Sequence, residues 1–522
     1  MPPVSVQWLG LAGVLCATFI STLNGRLSTF GLNDVRGVIH AGFDEGSWLT
    51  TSQTVAQMLI APVAVWMGTV FGIRRILFYA SLAFALISFL KPIAANFDSL
   101  MILQFAGGIA SGFFVPLTIG FILRGMPPRA WAYGIAVYAL NLEFSLNIAA
   151  SFEGWYVEHL SWHWIFWQSV PLSLIAAACF HLGGPFEERN RDAPPADVFG
   201  LATSGIGLSL IYAALDQGNR LDWTSSGLVV GLLLSGGLLM VAFFIHESVT
   251  PYPLIHLKIA FSSPMPQFVL LIGFLRLTIL STAFVVPTFL GAVRGYRSLE
   301  TGETLNWVAV PQLAVCVIAA LLLRRVDARF VSSFGFVLIC VACLMVAHGI
   351  TPVWGAHEFL PSQLVQAVGQ SFAMTGIIFF GVLHLRPPEA LTFGALSQVA
   401  RLMGGEIGQG FITTVIRKFT QIASNTIGLH VTSGSAPVVA RLHAYAGVAA
   451  RAGDPTRSTV RAEQILSGLV RSLATTQAVI DSFIVIAICT ALALLVLASV
   501  KAAPVGPASP LPLFTGFRRH TL

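Results

Sequence analysis

The chain has 522 residues, of which 55% are hydrophobic and 10% are charged, and its mean hydropathy is +0.79. So little polar surface excludes a water-soluble protein. The formal net charge of +6 comes from Lys and Arg scattered singly between apolar runs, which excludes a nucleic-acid-binding surface.

Fourteen apolar runs follow one another along the chain, and each is long enough for a helix to cross a bilayer core of about 30 Å. Two of them, at about 198–217 and 226–246, contain Gly and little bulk, so one hairpin lying partly in the interface is an alternative there. The sequence therefore predicts an all-α integral membrane protein with about 14 transmembrane helices. The runs cover approximately residues 6–30, 47–71, 76–95, 98–123, 130–152, 163–182, 198–217, 226–246, 266–292, 305–323, 331–351, 359–384, 391–416 and 478–500.

A helix–turn–helix pattern in the first part of the chain recurs in the second. Residues 120–130 contain the turn Pro127-Pro128, and residues 381–390 contain Pro387-Pro388, about 260 residues later. Repeated halves are the plan of many secondary transporters. We therefore predict two related halves, with chance similarity between two membrane hairpins as the alternative.

The short loops differ in charge on the two sides of the predicted membrane. Loops on the side of the termini hold Arg74, Arg75, Arg124, Arg129, Arg189, Arg191, Lys258, Arg324, Arg325, Arg329 and Arg386, whereas the opposite loops hold only Arg36, Lys91, Arg220, Arg294 and Arg297. Because cytoplasmic loops carry the excess of Lys and Arg, both termini are predicted to be cytoplasmic.

These runs and loops divide the chain into five parts. We predict a six-helix bundle at 1–182, a cytoplasmic linker with an extra helix pair at 183–255, and five helices of a second bundle at 256–417. A long outer loop at 418–477 and a last helix with a tail at 478–522 complete the chain. Within the outer loop, residues 461–474 have the period of a helix with one apolar face, formed by Ile465, Leu466, Leu469, Val470 and Leu473.

Six ionisable residues lie inside apolar runs: Arg26, Glu143, Glu153, Arg276, Arg401 and Glu406. A charge near a helix centre costs at least about 2.5–3.5 kcal/mol, so each should have a partner or line a wet cavity. For Arg26 and Glu153, near helix ends, snorkelling to the interface is the alternative. For Glu143 and Arg276 the alternative to a functional role is a purely structural ion pair.

A buried carboxyl favours its neutral form, while a nearby Arg favours the ionised form. That competition suits a group that takes up a proton on one side of the membrane and releases it on the other. Glu143 is the first candidate for this role, and Glu406 is the second.

Neither a cofactor nor a metal is expected. All six cysteines lie in apolar runs, and the His, Cys and Asp residues show no metal-ligand spacing. The chain lacks a Gly-x-x-x-x-Gly-Lys-Ser/Thr loop, so ATP is not expected to drive it, and no motif of an enzyme is present.

Three motifs carry a resemblance to a known family. They are Ser161-Trp-His-Trp-Ile-Phe-Trp at the start of the sixth run, Asp216-Gln-Gly-Asn-Arg between the seventh and eighth, and Pro251-Tyr-Pro-Leu-Ile before the ninth. In order and spacing the chain resembles the fourteen-helix drug–proton antiporter branch of the major facilitator superfamily, the EmrB/QacA type. The resemblance implies two six-helix bundles plus two extra helices in a bacterial inner membrane.

The resemblance also implies a function. It points to export of small amphipathic or lipophilic compounds, namely drugs, with organic or fatty acids as a further option, by proton antiport with alternating access. The implied partners are a small-molecule substrate, protons, the lipid bilayer and, as in similar pumps, a periplasmic adaptor and an outer-membrane channel. An organic-anion uptake carrier or facilitator, and a non-transporting receptor on a transporter scaffold, are the alternatives.

The chain departs from the family pattern where coupling residues are usual. Asn24 stands where the first helix usually has an acid, Arg26 follows it, and Gln104 stands where the fourth helix usually has an Arg. These departures leave proton coupling open. They favour substrates that carry a carboxylate, because Arg26, Arg276 and Arg401 would border the central cavity of such a protein. The pathway candidates are Asn24, Arg26, Gln104, Glu143, Glu153, Arg276, Arg401 and Glu406.

Overall fold

The computed structural model describes residues 4–183, 186–187, 189–191, 195–251, 253–254, 265–385, 390–432, 434–452 and 458–501. The turn at Pro387-Pro388 lies outside these ranges. Fourteen long helices fill most of the described chain: α1 (Val4–Phe30), α2 (Phe43–Phe71), α3 (Ile73–Leu90), α4 (Phe97–Gly125), α5 (Trp131–His159), α6 (Trp164–Leu182), α7 (Val198–Gly218), α8 (Gly227–Val249), α9 (Met265–Arg294), α10 (Ser298–Leu323), α11 (Ala328–Gly349), α12 (Leu360–Leu383), α13 (Ala390–Gly428) and α14 (Ser458–Ser499).

Thirteen of the described helices are long and apolar enough to cross a membrane. The remaining long helix, α13, is less apolar because it carries Gln398, Arg401 and Glu406 in its middle. All three side chains are buried inside the protein, so lipid does not have to solvate them. With α13 included, the described helices fit the predicted count of about 14 spans.

The extra helices α7 and α8 are each long and apolar enough to span a bilayer. They pack against each other where Gly207 meets Gly236, since a Cβ on Gly236 would lie 3.0 Å from the Gly207 carbonyl oxygen. The pair also lies against α2, where the Ser209 hydroxyl donates to the Val55 carbonyl at 2.9 Å. Close backbone contact of this kind compensates for the small side chains, so the alternative of a partly interfacial hairpin is wrong.

Two helices are irregular near a proline. The α-helical geometry of α4 is interrupted at Phe113, three residues before Pro116, and α9 contains a π-helical turn at Ser281–Val285 just before Pro287. Proline has no N–H to donate to the carbonyl four residues earlier, so the helix is interrupted there. The carbonyl of Ala283 is left without its usual helical donor.

The two halves contact each other in two regions. On the side of the termini, α2 and α4 pack on α13, and a Cβ on Gly394 would lie 2.1 Å from the Pro116 carbonyl oxygen. On the opposite side, α5 packs on α10, and a Cβ on Gly302 would lie 2.4 Å from the Ser151 hydroxyl. Only glycine fits at either position without a shift of its neighbour.

The segment expected as a long outer loop is mostly helical. α13 continues to Gly428, a separate helix spans Ala436–Ala452, and α14 begins at Ser458, so the amphipathic stretch 461–474 is the first part of α14. Leu466 and Val470 face the Ala436–Ala452 helix across a groove of about 880 Å³. The apolar face therefore has a partner within this chain, although Ile465 remains exposed.

Candidate functional site

A cavity of about 190 Å³ lies between the two halves, in the part of the helices remote from the termini. Its lining comes mainly from α1, α2, α7, α9 and α13, and most of the uncharged polar groups are Thr and Gln side chains. The charged lining residues are Arg26, Asp216, Arg276, Arg401 and Glu406. The structure thus brings four of the eight residues predicted from the sequence, Arg26, Arg276, Arg401 and Glu406, to one cavity.

A pair of carboxyl groups forms one wall of this cavity. Asp216 of α7 and Glu406 of α13 are in side-chain hydrogen-bonding contact, and the Tyr212 hydroxyl donates to Glu406 Oε2 at 2.8 Å. Thr51 and Gln217 donate to Asp216 Oδ2, the latter at 3.1 Å. Two adjacent carboxylates repel each other when both are ionised, so a proton shared between the two groups would stabilise this contact.

Sequence reasoning missed Asp216 because it falls at the end of an apolar run and was assigned to the following loop. In the structure it is still inside α7, one helical turn beyond Tyr212. That i, i+4 spacing places both side chains on the face of α7 that lines the cavity. The sequence feature that could have identified Asp216 is an acidic residue one helical turn after a Tyr within an apolar run.

Three arginines form the cationic part of the lining. Arg26 Nη2 donates to the Ala283 carbonyl at 2.8 Å, and Arg401 Nη2 donates to Gln398 Oε1 at 2.7 Å. The Nε atoms of all three arginines, and Nη1 of Arg276, are buried without a hydrogen-bond partner among the described residues. Guanidinium donors in this state favour an anionic partner inside the cavity.

Glu143 lies beside this cationic group on α5. It is 1% exposed, and neither carboxyl oxygen has a hydrogen-bond partner in the described part of the chain. Arg276 and Arg401 are the cations that act on it electrostatically, but at distances too long for a contact ion pair. Glu143 thus lies near these cations but outside the cavity lining, and its predicted proton role stays a prediction.

Two other predicted pathway residues, Asn24 and Gln104, are not part of the cavity lining. Asn24 donates to Gln53 of α2 at 3.3 Å, and Gln104 accepts from Lys91 Nζ at 2.7 Å. Lys91 was assigned to an outer loop from its sequence position, but it is 1% exposed and packs against the rings of Phe84 and Phe166. Gln104 is therefore the polar partner of a buried cation rather than part of the cavity lining.

Glu153 is at the far end of α5, where that helix meets α10. Ser298 of α10 and Asp34 are the neighbours that act on its carboxyl group, and Oε2 has no hydrogen-bond partner among the described residues. The side chain is buried, so the alternative of snorkelling does not apply to it. Glu153 belongs to the contact between the halves and not to the cavity.

Comparison with known proteins agrees with this architecture. The model of the Major Facilitator Superfamily matches residues 14–409. The multidrug export protein EmrB of Haemophilus influenzae is 23% identical over 76% of this chain and 78% of its own length, and the fatty acid resistance protein FarB of Neisseria gonorrhoeae is 21% identical over 83% and 86%. The solved structure of the proton:xylose symporter XylE has a TM-score of 0.55 at 10% identity, covering 91% of this chain and 98% of XylE.

The family match extends over most of the chain, and the fold of the solved neighbour covers both halves. These proteins are transporters, so the expectation that the chain is not an enzyme is confirmed. A small-molecule substrate and a membrane environment follow from the same match. The chain therefore belongs to the Major Facilitator Superfamily, and within it resembles the EmrB-type branch.

Proposed function

We propose that this protein exports lipophilic compounds across the membrane in exchange for protons. The observation that carries the proposal is the Asp216–Glu406 contact, a pair of acids that could share a proton in the same cavity as three arginines. Export is supported by relatives named for multidrug export and for fatty acid resistance. In this proposal both termini are cytoplasmic and the long helical extension around Ala436–Ala452 is outside.

The proposed cycle follows from the position of the cavity between the halves. Alternating access requires the two halves to rock about a central site. With the halves packed together by α2, α4 and α13, the cavity is separated from the terminus side, where substrate would enter in the opposite state. Loss of the shared proton leaves two like charges in contact, and their repulsion favours separation of α7 from α13.

The experiment is transport of a fluorescent lipophilic probe into everted membrane vesicles, with and without a pH gradient that is acid inside. We expect accumulation that stops when the gradient is collapsed. Glu406→Gln and Asp216→Asn should each abolish the dependence on the gradient, because either change removes the proton-sharing pair. Glu463→Gln, at an exposed acid on α14, is the control and should transport normally.

Other outcomes decide between the alternatives. Accumulation only in right-side-out vesicles would indicate an uptake carrier, and equal rates without a gradient would indicate a facilitator. Binding of the probe without movement in either vesicle type would indicate a receptor. Any of these three results contradicts proton-coupled export.

We also propose that the extension on the far side of the membrane binds an adaptor protein. Ile465 and Leu473 are the exposed members of the apolar stripe on α14, whereas Leu466 packs into the groove against Ala436–Ala452. Ile465→Asp should therefore reduce co-purification with an adaptor without unfolding the extension. Co-purification that is unchanged by this substitution excludes Ile465 as a docking residue.

A further inference from the structure

The motif at residues 216–220 lies where α7 ends, on the side of the membrane remote from the termini. Asn219 follows the last residue of α7 and makes contacts that the acid pair does not require. Its Nδ2 donates to the Gly410 carbonyl oxygen at 2.8 Å, and its Oδ1 accepts from the Thr414 hydroxyl at 2.8 Å. Both ends of this one amide group are therefore bound by α13.

The Asn219 amide is held in place by its surroundings. Trp223 Nε1 donates to the amide oxygen at 3.3 Å, and the Trp223 ring packs on Gly218, where a Cβ would lie 2.7 Å from the ring. On α13, the Thr414 hydroxyl lies 2.8 Å from the Gly410 carbonyl one turn earlier, so the two groups that bind the amide are neighbours on one helix face.

Helix α7 is fixed to α2 of the first half. The Ser209 hydroxyl donates to the Val55 carbonyl at 2.9 Å, and two turns farther along Gln217 Nε2 donates to the Thr51 hydroxyl at 2.6 Å. The Ser47 hydroxyl also donates to Gln217 Oε1 at 3.2 Å. Because these bonds are spread along the helix, α7 packs as a part of the first half.

Helix α13 is fixed to α9 of the second half. A Cβ on Gly404 would lie 2.7 Å from the Cα of Gly273, and a Cβ on Gly408 would lie 3.0 Å from the Cα of Leu277. Such close approach of two backbones is typical of helices packed through small residues. The Asn219 contact therefore joins two bodies that alternating access moves against each other.

The Asn219 contact lies beyond the charged cavity on the same two helices. On α13, Glu406 lines the cavity, and Gly410 and Thr414 follow it at steps of four residues. On α7, Asp216 lines the cavity, and Asn219 follows three residues later. At 1.5 Å per residue the contact begins about 5 Å farther from the termini than the acid pair.

We propose that Asn219 is the positioning residue of a latch, formed by Asn219, Gly410 and Thr414, that keeps the charged cavity closed on the side remote from the termini. The inference rests on the proposed function, because it takes alternating access of the two halves as given. The amide holds α13 against α7 and thereby keeps Glu406 beside Asp216. Repulsion between these two acids when both are ionised separates the same two helices, so the latch opens with the pair. The extra helix pair thus carries the first half's side of the latch.

The test is the rate at which a single cysteine in the charged cavity reacts with an impermeant thiol reagent. Thr22→Cys in a cysteine-free background is suitable, because Thr22 lines the cavity, is 7% exposed and has no hydrogen-bond partner for its hydroxyl among the described residues. In sealed vesicles that present the Ala436–Ala452 helix to the reagent, Asn219→Ala should raise the rate by roughly ten-fold, since one or two net hydrogen bonds between the halves are lost. In vesicles of the opposite orientation the rate should not rise.

Two further variants assign the effect to the latch. Thr414→Val removes only the hydroxyl and should also raise the rate, so it serves alone if Asn219→Ala does not fold. The double variant should react more slowly than the two single effects multiplied, because both substitutions break the same contact.

The matched controls are Thr413→Val, the same substitution at the neighbouring position of α13, and Ser209→Ala, which breaks a hydrogen bond within the first half. Both should leave the rate unchanged. Neither position takes part in the latch.

An unchanged rate in both Asn219→Ala and Thr414→Val overturns the latch. An equal rise from both sides of the membrane, or in the two controls, overturns it as well, because the helices are then only loosened in general. The measurement uses neither a pH gradient nor a transported substrate. A failure of proton-coupled export therefore leaves its result intact, and a failure of the latch leaves proton-coupled export intact.

Discussion

Arg26 donates to the carbonyl oxygen of Ala283, and it can do so because Pro287 has no N–H to occupy that carbonyl. The bond joins α1 of one half to α9 of the other. Arg26 therefore acts as a cap for a helix break in the opposite half. Phe30, whose ring lies 5.1 Å from the guanidinium carbon, also contacts this cation.

This arrangement predicts that Arg26 and Pro287 are energetically coupled. Arg26→Gln should destabilise the protein by about 1–3 kcal/mol, since a charged donor is lost and a buried carbonyl is left unpaired. Pro287→Ala supplies a helical N–H to Ala283, so the loss caused by Arg26→Gln should be smaller in that background. A double-mutant cycle of thermal unfolding in detergent measures the coupling, and strictly additive effects contradict it.

A second residue-scale prediction concerns Lys91 and Gln104. Lys91→Met should cost about 1–3 kcal/mol because it leaves the Gln104 amide oxygen buried without its donor. The double substitution Lys91→Met with Gln104→Leu should recover much of that loss, because no polar group is then left unpaired. Transport by the double variant should match that of the unmodified protein. If the double variant is as stable as the unmodified protein but does not transport, Gln104 belongs to the transport pathway after all.

At the scale of helices, hydropathy predicted which segments cross the membrane but not how each is rotated about its axis. Rotation is determined by packing against neighbouring helices, which a single sequence does not show. The prediction therefore placed Glu153 and Gln104 with the pathway residues, although packing turns Glu153 toward Ser298 and Gln104 toward Lys91. Arg276, Arg401 and Glu406 line the cavity, because a charge deep in a helix has few stable positions other than the protein interior.

The contact of α13 with α4 gives a test at this scale. Gly394→Val should force α13 away from the Pro116 carbonyl and weaken the closed arrangement on the terminus side. In a cysteine-free background, Ser397→Cys, which is buried, should then react faster with a thiol reagent added from that side. Gly428→Val, on the same helix with open space around it, is the control. No change in reactivity would show that this contact does not close the protein.

At the scale of the whole molecule, orientation can be tested by labelling. Two exposed positions are suitable, His443 in the extension and Arg189 after α6. With cytoplasmic termini, a single cysteine at position 443 should react with an impermeant reagent added to intact cells. A cysteine at position 189 should react only after the membrane is opened. Reaction of both positions in intact cells is incompatible with the arrangement of fourteen spans.

The central claim is that Asp216 and Glu406 exchange a proton for each substrate movement, and proton flux in proteoliposomes tests it most directly. Dodecylsulfonate is a suitable probe because it stays ionised and carries no proton itself. When it moves down its own gradient through the protein, a pH-sensitive dye should report protons moving in the opposite direction. Glu406→Gln and Asp216→Asn should abolish the proton signal. Substrate movement without a proton signal in the unmodified protein, or an equal signal in both variants, would contradict the claim.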